Sequence, residues 1–164
     1  LASLIPTLMN DSTGFLLLLH SILRWLVLLS VATAGIVALR GYLAKAPIIV
    51  WERSVAILAM VLCHVQLLLG LVLYGLKFKS YSLISNMGHQ TVMTNAVIRY
   101  WKMEHIAGMI LAIALVTIGR SLSKKATTEP GKQLRIAIFY LIALLIFLVM
   151  IPWPFREGIG RAWL

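Results

Sequence analysis

The chain has 164 residues, of which 61% are hydrophobic and only 12% are charged. A soluble domain carries about a quarter charged residues, so this composition excludes an ordinary soluble domain and indicates an integral membrane protein. The formal net charge is +10, but the basic residues cluster at the ends of apolar runs, where they orient a protein and meet lipid headgroups. We therefore expect lipid contacts and no nucleic-acid partner.

Four apolar runs predict four membrane-spanning helices in one all-α domain, residues 1–164. The runs cover about residues 15–39, 55–74, 99–118 and 134–151, and each is long enough to cross a hydrocarbon core of roughly 30 Å. The connections are short, apart from the polar segment 76–98, so consecutive spans should pack antiparallel. The predicted architecture is an up-down-up-down four-helix bundle in the membrane.

Three of these runs carry a histidine: His20 on the first, His64 on the second and His105 on the third. Ionisable side chains inside a membrane are costly and usually face a bundle interior, so each is a functional candidate. His20 and His105 lie roughly 7 Å below the same end of their spans, at 1.5 Å per residue, whereas His64 is about twice as deep. A fourth histidine, His89, lies in the polar segment, and we expect no special role for it.

The matched depth of two histidines predicts a haem site. Spans one and three are diagonal in an up-down bundle, so His20 and His105 can face each other across its axis. Neutral imidazoles from facing helices, one on each face of the macrocycle, are what a bis-histidine b-type haem requires. We predict one haem b with these two residues on its iron. Gly108 would let the macrocycle approach the backbone, and Arg99 and Lys102 would bind its propionates. The alternative for Gly108, and the expectation for Gly35 and Gly70, is close packing between helices.

Other interpretations of these residues stay open. His64 is either a packing residue bonded across the bundle, a replacement haem ligand or a hydrogen-bond partner for a quinol. Arg24 requires a partner at its depth, which is either Glu104 or a haem propionate, and Glu104 could alternatively take protons from a quinol. Cys63 is expected to be a small core residue. A zinc or copper site made of the three histidines and Glu104 is disfavoured because His64 is deeper than the other two.

Lysine and arginine counts in short connections predict the orientation. The first and third connections hold eight such residues: Arg40, Lys45, Arg53, Arg120, Lys124, Lys125, Lys132 and Arg135. The other side holds six: Lys77, Lys79, Arg99, Lys102, Arg156 and Arg161. The difference, and above all the dense cluster in 120–135, predicts both termini on the outer side of the membrane, with the haem near the outer face.

Several motifs occur in a fixed order along the chain. They are His20-Ser-x-x-Arg24-Trp25, His64-x-Gln66 followed by Leu-Leu-Leu-Gly70-Leu, Glu104-His105, Thr117-Ile-Gly-Arg120-Ser-x-Ser-Lys-Lys125, and Ile151-Pro-Trp-Pro-Phe-Arg156. In this order they resemble a family of short bacterial four-span membrane proteins labelled cytochrome b-like. The resemblance covers nearly the whole chain. It implies a haem b bound through histidines and places His20, His64 and His105 in the recurring motifs.

Two expectations for function follow. The first is a cytochrome b-type electron-transfer subunit of a larger respiratory or photosynthetic complex in a bacterial inner membrane, with other membrane subunits as partners and a quinone as a further candidate. The second is a cofactor-free accessory subunit whose polar side chains join helices to one another. The sequence contains no glycine-rich phosphate loop, Ser-His-Asp arrangement or carboxylate pair, so we expect such a subunit rather than a self-contained enzyme.

Overall fold

Four long apolar helices pack as a bundle in the computed structural model, which describes residues 11–85, 93–161 and 163, and the side chains of 13–76, 93–161 and 163. Helix α1 is Asp11–Leu43 and α2 is Val50–Ser85. The third span, Ala96–Lys125, consists of α3 (Ala96–Arg99), a π-helical segment (Tyr100–Glu104) and α4 (His105–Lys125); the last helix is α5 (Glu129–Met150). The predicted all-α, four-span architecture is confirmed.

The helices extend beyond the apolar runs that predicted them. Helix α2 continues to Ser85, into the segment expected to be a connection. Apolar composition identifies only the part of a helix suited to hydrocarbon, whereas backbone hydrogen bonding continues until a cap or a breaker ends it. Helix α5 has both: the Thr128 side chain accepts from the Gly131 N–H at its start, and Pro152 follows its last turn.

Helix α5 holds the bundle together. It packs along both α1 and α4, and α1 also packs along α2, whereas α2 and α4 make more limited contact. Helix α1 and the third span therefore occupy diagonal corners, as the short connections predicted.

Small residues let α5 lie close to both of its neighbours. A Cβ atom built at Gly119 on α4 would lie 2.5 Å from the Cβ atom of Phe139, and one at Gly35 on α1 would lie 2.9 Å from Cδ2 of Leu141. Such close approach is characteristic of helix interfaces in membranes. The buried core is rich in alanine for the same reason: Ala34, Ala38, Ala56, Ala59, Ala112, Ala137 and Ala143.

The outside of the bundle is apolar. Large hydrophobic side chains are exposed on all four spans, including Leu29, Leu68, Leu111 and Leu145. An exterior of this kind is suited to lipid, and each span is long and apolar enough to cross a membrane. Helix α2 contributes least to the interior, with 17% of its most apolar stretch buried.

Two polar contacts join α5 to the first half of the chain. The hydroxyl of Tyr140, whose side chain is fully buried, donates to the carbonyl oxygen of Ala56 on α2 at 2.7 Å. At the other end of α5, the Glu129 carboxylate accepts from the Ile48 N–H and pairs with Lys132. The connection between α1 and α2 is thereby fastened to the start of α5.

Candidate functional site: a cavity between the diagonal spans

A cavity of about 180 Å³ lies inside the bundle near the end where α1 begins and α5 stops, which we name the cavity end. Its wall is mainly apolar and includes residues of all four spans and of the segment that follows α5. The lining side chains able to ligate or hydrogen-bond strongly include His20, Arg24, Gln66, His105 and Arg161. None of the lining residues that the structure describes is acidic.

The two histidines singled out by their depth line this one cavity from diagonal spans. His20 follows the first residue of α1 by about two and a half turns, and His105 follows the start of the third span by the same distance. Equal spacing from helix ends at the same side of a bundle places them at similar heights. The structure thus brings His20 and His105 to the same site.

His105 is held by a backbone carbonyl group of α5. Its Nδ1 lies 2.9 Å from the carbonyl oxygen of Met150, and the Tyr100 hydroxyl donates to the same oxygen at 2.6 Å. A carbonyl oxygen only accepts, so Nδ1 carries the hydrogen and donates it. The neutral imidazole then keeps its lone pair on Nε2, which is the atom available to a ligand in the cavity.

Two prolines explain why that carbonyl group is available. In a continuing α-helix the Met150 oxygen would accept from the N–H of residue 154, but Pro154 has none. Pro152 frees the carbonyl oxygen of Leu148 in the same way, and the Trp153 indole N–H donates to it at 2.7 Å. The first effect of the two prolines is to end the helix. Their second effect is to supply the acceptor that orients the imidazole described above.

The π-helical segment directly before His105 aligns side chains that lie five positions apart. In an α-helix such residues are about 140° apart around the axis, whereas the i to i+5 pattern of a π-helix brings them close together. Tyr100 therefore lies beside His105, with 3.3 Å between its hydroxyl oxygen and Nδ1. By the same spacing, Arg99 Nε donates to Glu104 Oε1.

This pairing corrects the expectations for the charged residues. Glu104 is bound to Arg99, so the expected ion pair between Arg24 and Glu104 is wrong. Arg99 also donates to the carbonyl oxygen of Met93, and neither Arg99 nor Lys102 lines the cavity. The two residues expected to bind propionates therefore lie outside the cavity wall, because the π-helical turn directs Arg99 toward Glu104.

Arg24 lines the cavity with a different set of partners. Its Nη2 donates to the carbonyl oxygen of Trp163 at 2.6 Å. Its guanidinium group lies 5.3 Å from the ring centroid of Trp25 and 6.0 Å from that of Trp153. A backbone carbonyl group and indole rings satisfy part of its hydrogen-bonding and electrostatic needs, and no described residue forms an ion pair with it.

Two further candidates face other helices. A Cβ atom at Gly108 would lie 2.6 Å from Cγ of Met150, so this glycine allows contact with α5 rather than approach of a macrocycle. His64 is exposed on α2 and does not line the cavity. Its Nδ1 lies 2.8 Å from the carbonyl oxygen of Met60, and its Nε2 lies 3.5 Å from Oγ1 of Thr117 on α4. These contacts match the packing role considered for His64.

Helix α2 supports His20 through two residues of its recurring motif, Gln66 and Gly70. Gln66 Nε2 donates to the carbonyl oxygen of His20 at 2.9 Å, and a Cβ atom at Gly70 would lie 3.3 Å from Cε1 of the imidazole. The i, i+4 spacing of Gln66 and Gly70 was the available signal, because it puts both on one helix face. Within the described residues, His20 Nδ1 and Gln66 Oε1 are buried without a hydrogen-bond partner, so both are available to a ligand.

The segment after α5 turns back toward the cavity. The Arg161 N–H donates to the carbonyl oxygen of Pro152 at 3.0 Å, and Gly158 adopts a φ of 74°, which favours glycine. The Arg161 guanidinium group lies 4.8 Å from the Trp101 ring centroid. This return of the chain was not predicted, because its direction depends on contacts that residue spacing does not encode.

Cysteine and acidic residues add no metal centre in the part of the chain that the structure covers. No group of three or more His, Cys, Asp or Glu residues that could hold a metal ion is found there. Cys63 is fully buried and contributes to both the core and the cavity wall. His89 lies outside the described residues.

The fold and the cavity define the class: a multi-pass membrane protein with four candidate spans and an internal cavity lined by two histidines. No protein-family model matches the chain, and neither a curated protein nor a solved structure matches it.

Replacing Tyr100 with phenylalanine is expected to lower the free energy of unfolding by about 1 kcal/mol, because a buried hydroxyl donor to Met150 is lost. Tyr140→Phe is the matched comparison, since it removes an equally buried hydroxyl donor far from His105. Unfolding of both variants by sodium dodecyl sulfate, followed by circular dichroism, measures the change. If Tyr100→Phe left the free energy of unfolding unchanged while Tyr140→Phe lowered it, the hydrogen bond from Tyr100 to the Met150 carbonyl group would not stabilise the protein.

Proposed function

We propose that this chain is a membrane cytochrome b-type electron-transfer subunit that holds one haem b in the cavity, with His20 and His105 as its iron ligands. The observation that carries the proposal is that two imidazoles from diagonal spans line a single apolar cavity. The ordered motifs that resemble cytochrome b-like proteins also support it.

The surroundings of His105 fit an iron ligand. Histidines that bind metals usually donate their other ring N–H to a carbonyl or carboxylate group, which fixes the tautomer and the ring orientation. His105 does so through Nδ1 and the Met150 carbonyl group. Its Nε2 is then the basic nitrogen that ligation requires, before any ligand is present.

The other lining residues have complementary tasks. His20 is seated against Gly70 on α2, which positions its ring from the opposite side of the bundle. Buried apolar side chains, including Val27, Ile113 and Phe147, exclude water from the wall. Bound haem would supply one-electron chemistry, and the apolar wall would influence its potential through burial and local dielectric.

The position in the membrane is part of the proposal. Basic residues in the connection between α4 and α5, such as Lys124 and Lys125, favour a cytoplasmic location for that end of the bundle. The cavity end would then be at the outer face of a bacterial inner membrane. The broad apolar surface of α2 suits either lipid or other membrane subunits of a respiratory or photosynthetic complex.

A reduced-minus-oxidised spectrum of the protein purified in mild detergent tests this function. We expect an α band typical of a low-spin b-type haem, either in the protein as purified or after titration with haemin. A flat spectrum in both preparations would contradict the proposal and favour the cofactor-free accessory subunit, in which the same polar side chains only join helices.

A further inference from the structure

The cavity wall carries positive charge that none of its described lining residues neutralises with an acidic side chain. Arg24 from α1 and Arg161 from the segment after α5 both contribute to it. The ion pairs found among the described residues involve neither arginine. Arg161 is exposed, but Arg24 is half-buried, and a charged guanidinium group is costly there without a partner. The wall is therefore suited to a ligand that brings negative charge.

Both guanidinium groups retain unused hydrogen-bond donors. An arginine side chain has five N–H donors. Arg24 donates from Nη2 to Trp163, while its Nε is buried without a partner in the described part of the chain. The Arg161 guanidinium group makes no side-chain hydrogen bond to any described residue. Each arginine can therefore still present part of its planar fork to a carboxylate group.

Indole rings hold both groups in place without neutralising them. Trp25 and Trp153 lie near the Arg24 guanidinium group, and Trp101 lies 4.8 Å from that of Arg161. Cation–π contacts of this kind stabilise a cation through the ring quadrupole and leave its donors free at the edges. The arginines are thus positioned before a ligand binds.

We propose that Arg24 and Arg161 form a carboxylate-binding site at the cavity end and bind the propionates of the haem. The identity of the ligand rests on the proposed function. The site adds an orientation, with the carboxylates directed toward the segment that follows α5. Arg24 and Arg161 thus take the propionate-binding role expected of Arg99 and Lys102. The sequence suggested this role for Arg24 as an alternative, but not for Arg161.

The test compares protoporphyrin IX with its dimethyl ester, each in the iron form and in the metal-free form. The metal-free pair cannot be ligated by histidine, so it reports on the carboxylates alone, through quenching of tryptophan fluorescence; absorbance follows the iron pair. We expect the native protein to bind each diacid at least about tenfold more tightly than its diester, the size of effect typical of charge-assisted hydrogen bonds.

Substitution then assigns the preference to residues. Arg24→Gln and Arg161→Gln should each reduce the preference for the diacid, and the double variant should remove it. Arg53→Gln, an exposed arginine outside the cavity wall, is the charge-matched control and should retain the full preference. Arg24→Lys keeps a positive charge and should retain part of it, which preserves the test if Arg24→Gln fails to fold.

The outcomes separate this site from the proposed function. Equal binding of diacid and diester by the native protein would overturn the carboxylate site even if the iron form gave a bis-histidine spectrum. A diacid preference that disappears in the arginine variants would support the carboxylate site. If the iron spectrum in the same experiment showed no histidine ligation, that result would contradict the proposed function but not the carboxylate site. Failure to bind any of the porphyrins would overturn both, and a preference that survives in the double variant would overturn the assignment to these arginines.

Discussion

Replacing His105 with alanine is expected to abolish the low-spin b-type spectrum that the proposed haem site predicts, and to weaken haemin binding by more than about tenfold. The substitution removes both the Nε2 lone pair and the contact of Nδ1 with the Met150 carbonyl group. Losing an orienting partner alone typically costs about 10–100-fold in metal affinity, so losing the ligand should cost more. His20→Ala is expected to have the same effect, because His20 supplies the opposite wall of the cavity.

His64→Ala is the matched control for these variants. It removes an imidazole from the same bundle, but one that is exposed and outside the cavity wall, so the spectrum should be unchanged. Haemin titration followed by absorbance compares the three variants with the native protein. An unchanged spectrum in either cavity-histidine variant would exclude that residue as a ligand, and loss of the band in the His64 variant would identify His64 as one.

Replacing Gly119 with alanine is expected to lower the free energy of unfolding by about 1–3 kcal/mol, the usual cost of overfilling a packed interface. The added Cβ atom would lie 2.5 Å from the Cβ atom of Phe139 and 3.4 Å from the carbonyl oxygen of Arg135. A Cβ atom is fixed to the backbone and cannot rotate away. Helices α4 and α5 would therefore have to separate along the contact that joins the third span to the bundle.

Gly75→Ala gives the same chemical change without the contact, since nothing lies within 4 Å of a Cβ atom at that position on α2. This variant should be as stable as the native protein or more stable by up to about 1 kcal/mol, because alanine is the better helix former. Unfolding by sodium dodecyl sulfate compares the two. Equal stability of the two variants would contradict the close packing of α4 on α5.

Run length and spacing from the helix ends were enough to predict the four-span bundle and the meeting of two histidines. Both properties are local: an apolar run sets the length of a span, and short connections force neighbouring spans to be antiparallel. His20 and His105 then lie at similar heights on diagonal helices, because His20 follows the start of α1, and His105 the start of the third span, by the same number of residues. That is why the cavity wall contains both residues, while the deeper His64 lies elsewhere.

The partners of the charged side chains could not be predicted from spacing. The carbonyl group that binds Arg24 belongs to Trp163, which is 139 positions away. A search for acidic side chains at the depth of Arg24 cannot find this partner, because it is a backbone group. Arg99 and Glu104 are five positions apart, which an α-helical wheel places on different faces. Only the π-helical turn brings these two side chains together. Local sequence patterns did not predict that turn.

The wide turn between Arg99 and His105 has a consequence for chains of the same architecture that differ in length at this point. Removing one residue from Tyr100–Glu104 would restore ordinary helical winding while leaving His105 and everything after it in register. With the residue taken from between them, Tyr100 and His105 would be four positions apart, a spacing that ordinary α-helical winding also places on one face, so the hydroxyl would stay near the imidazole. A chain one residue shorter in this stretch can therefore keep the contact between tyrosine and histidine in an ordinary α-helix, whereas the native length makes this contact only through the π-helical turn.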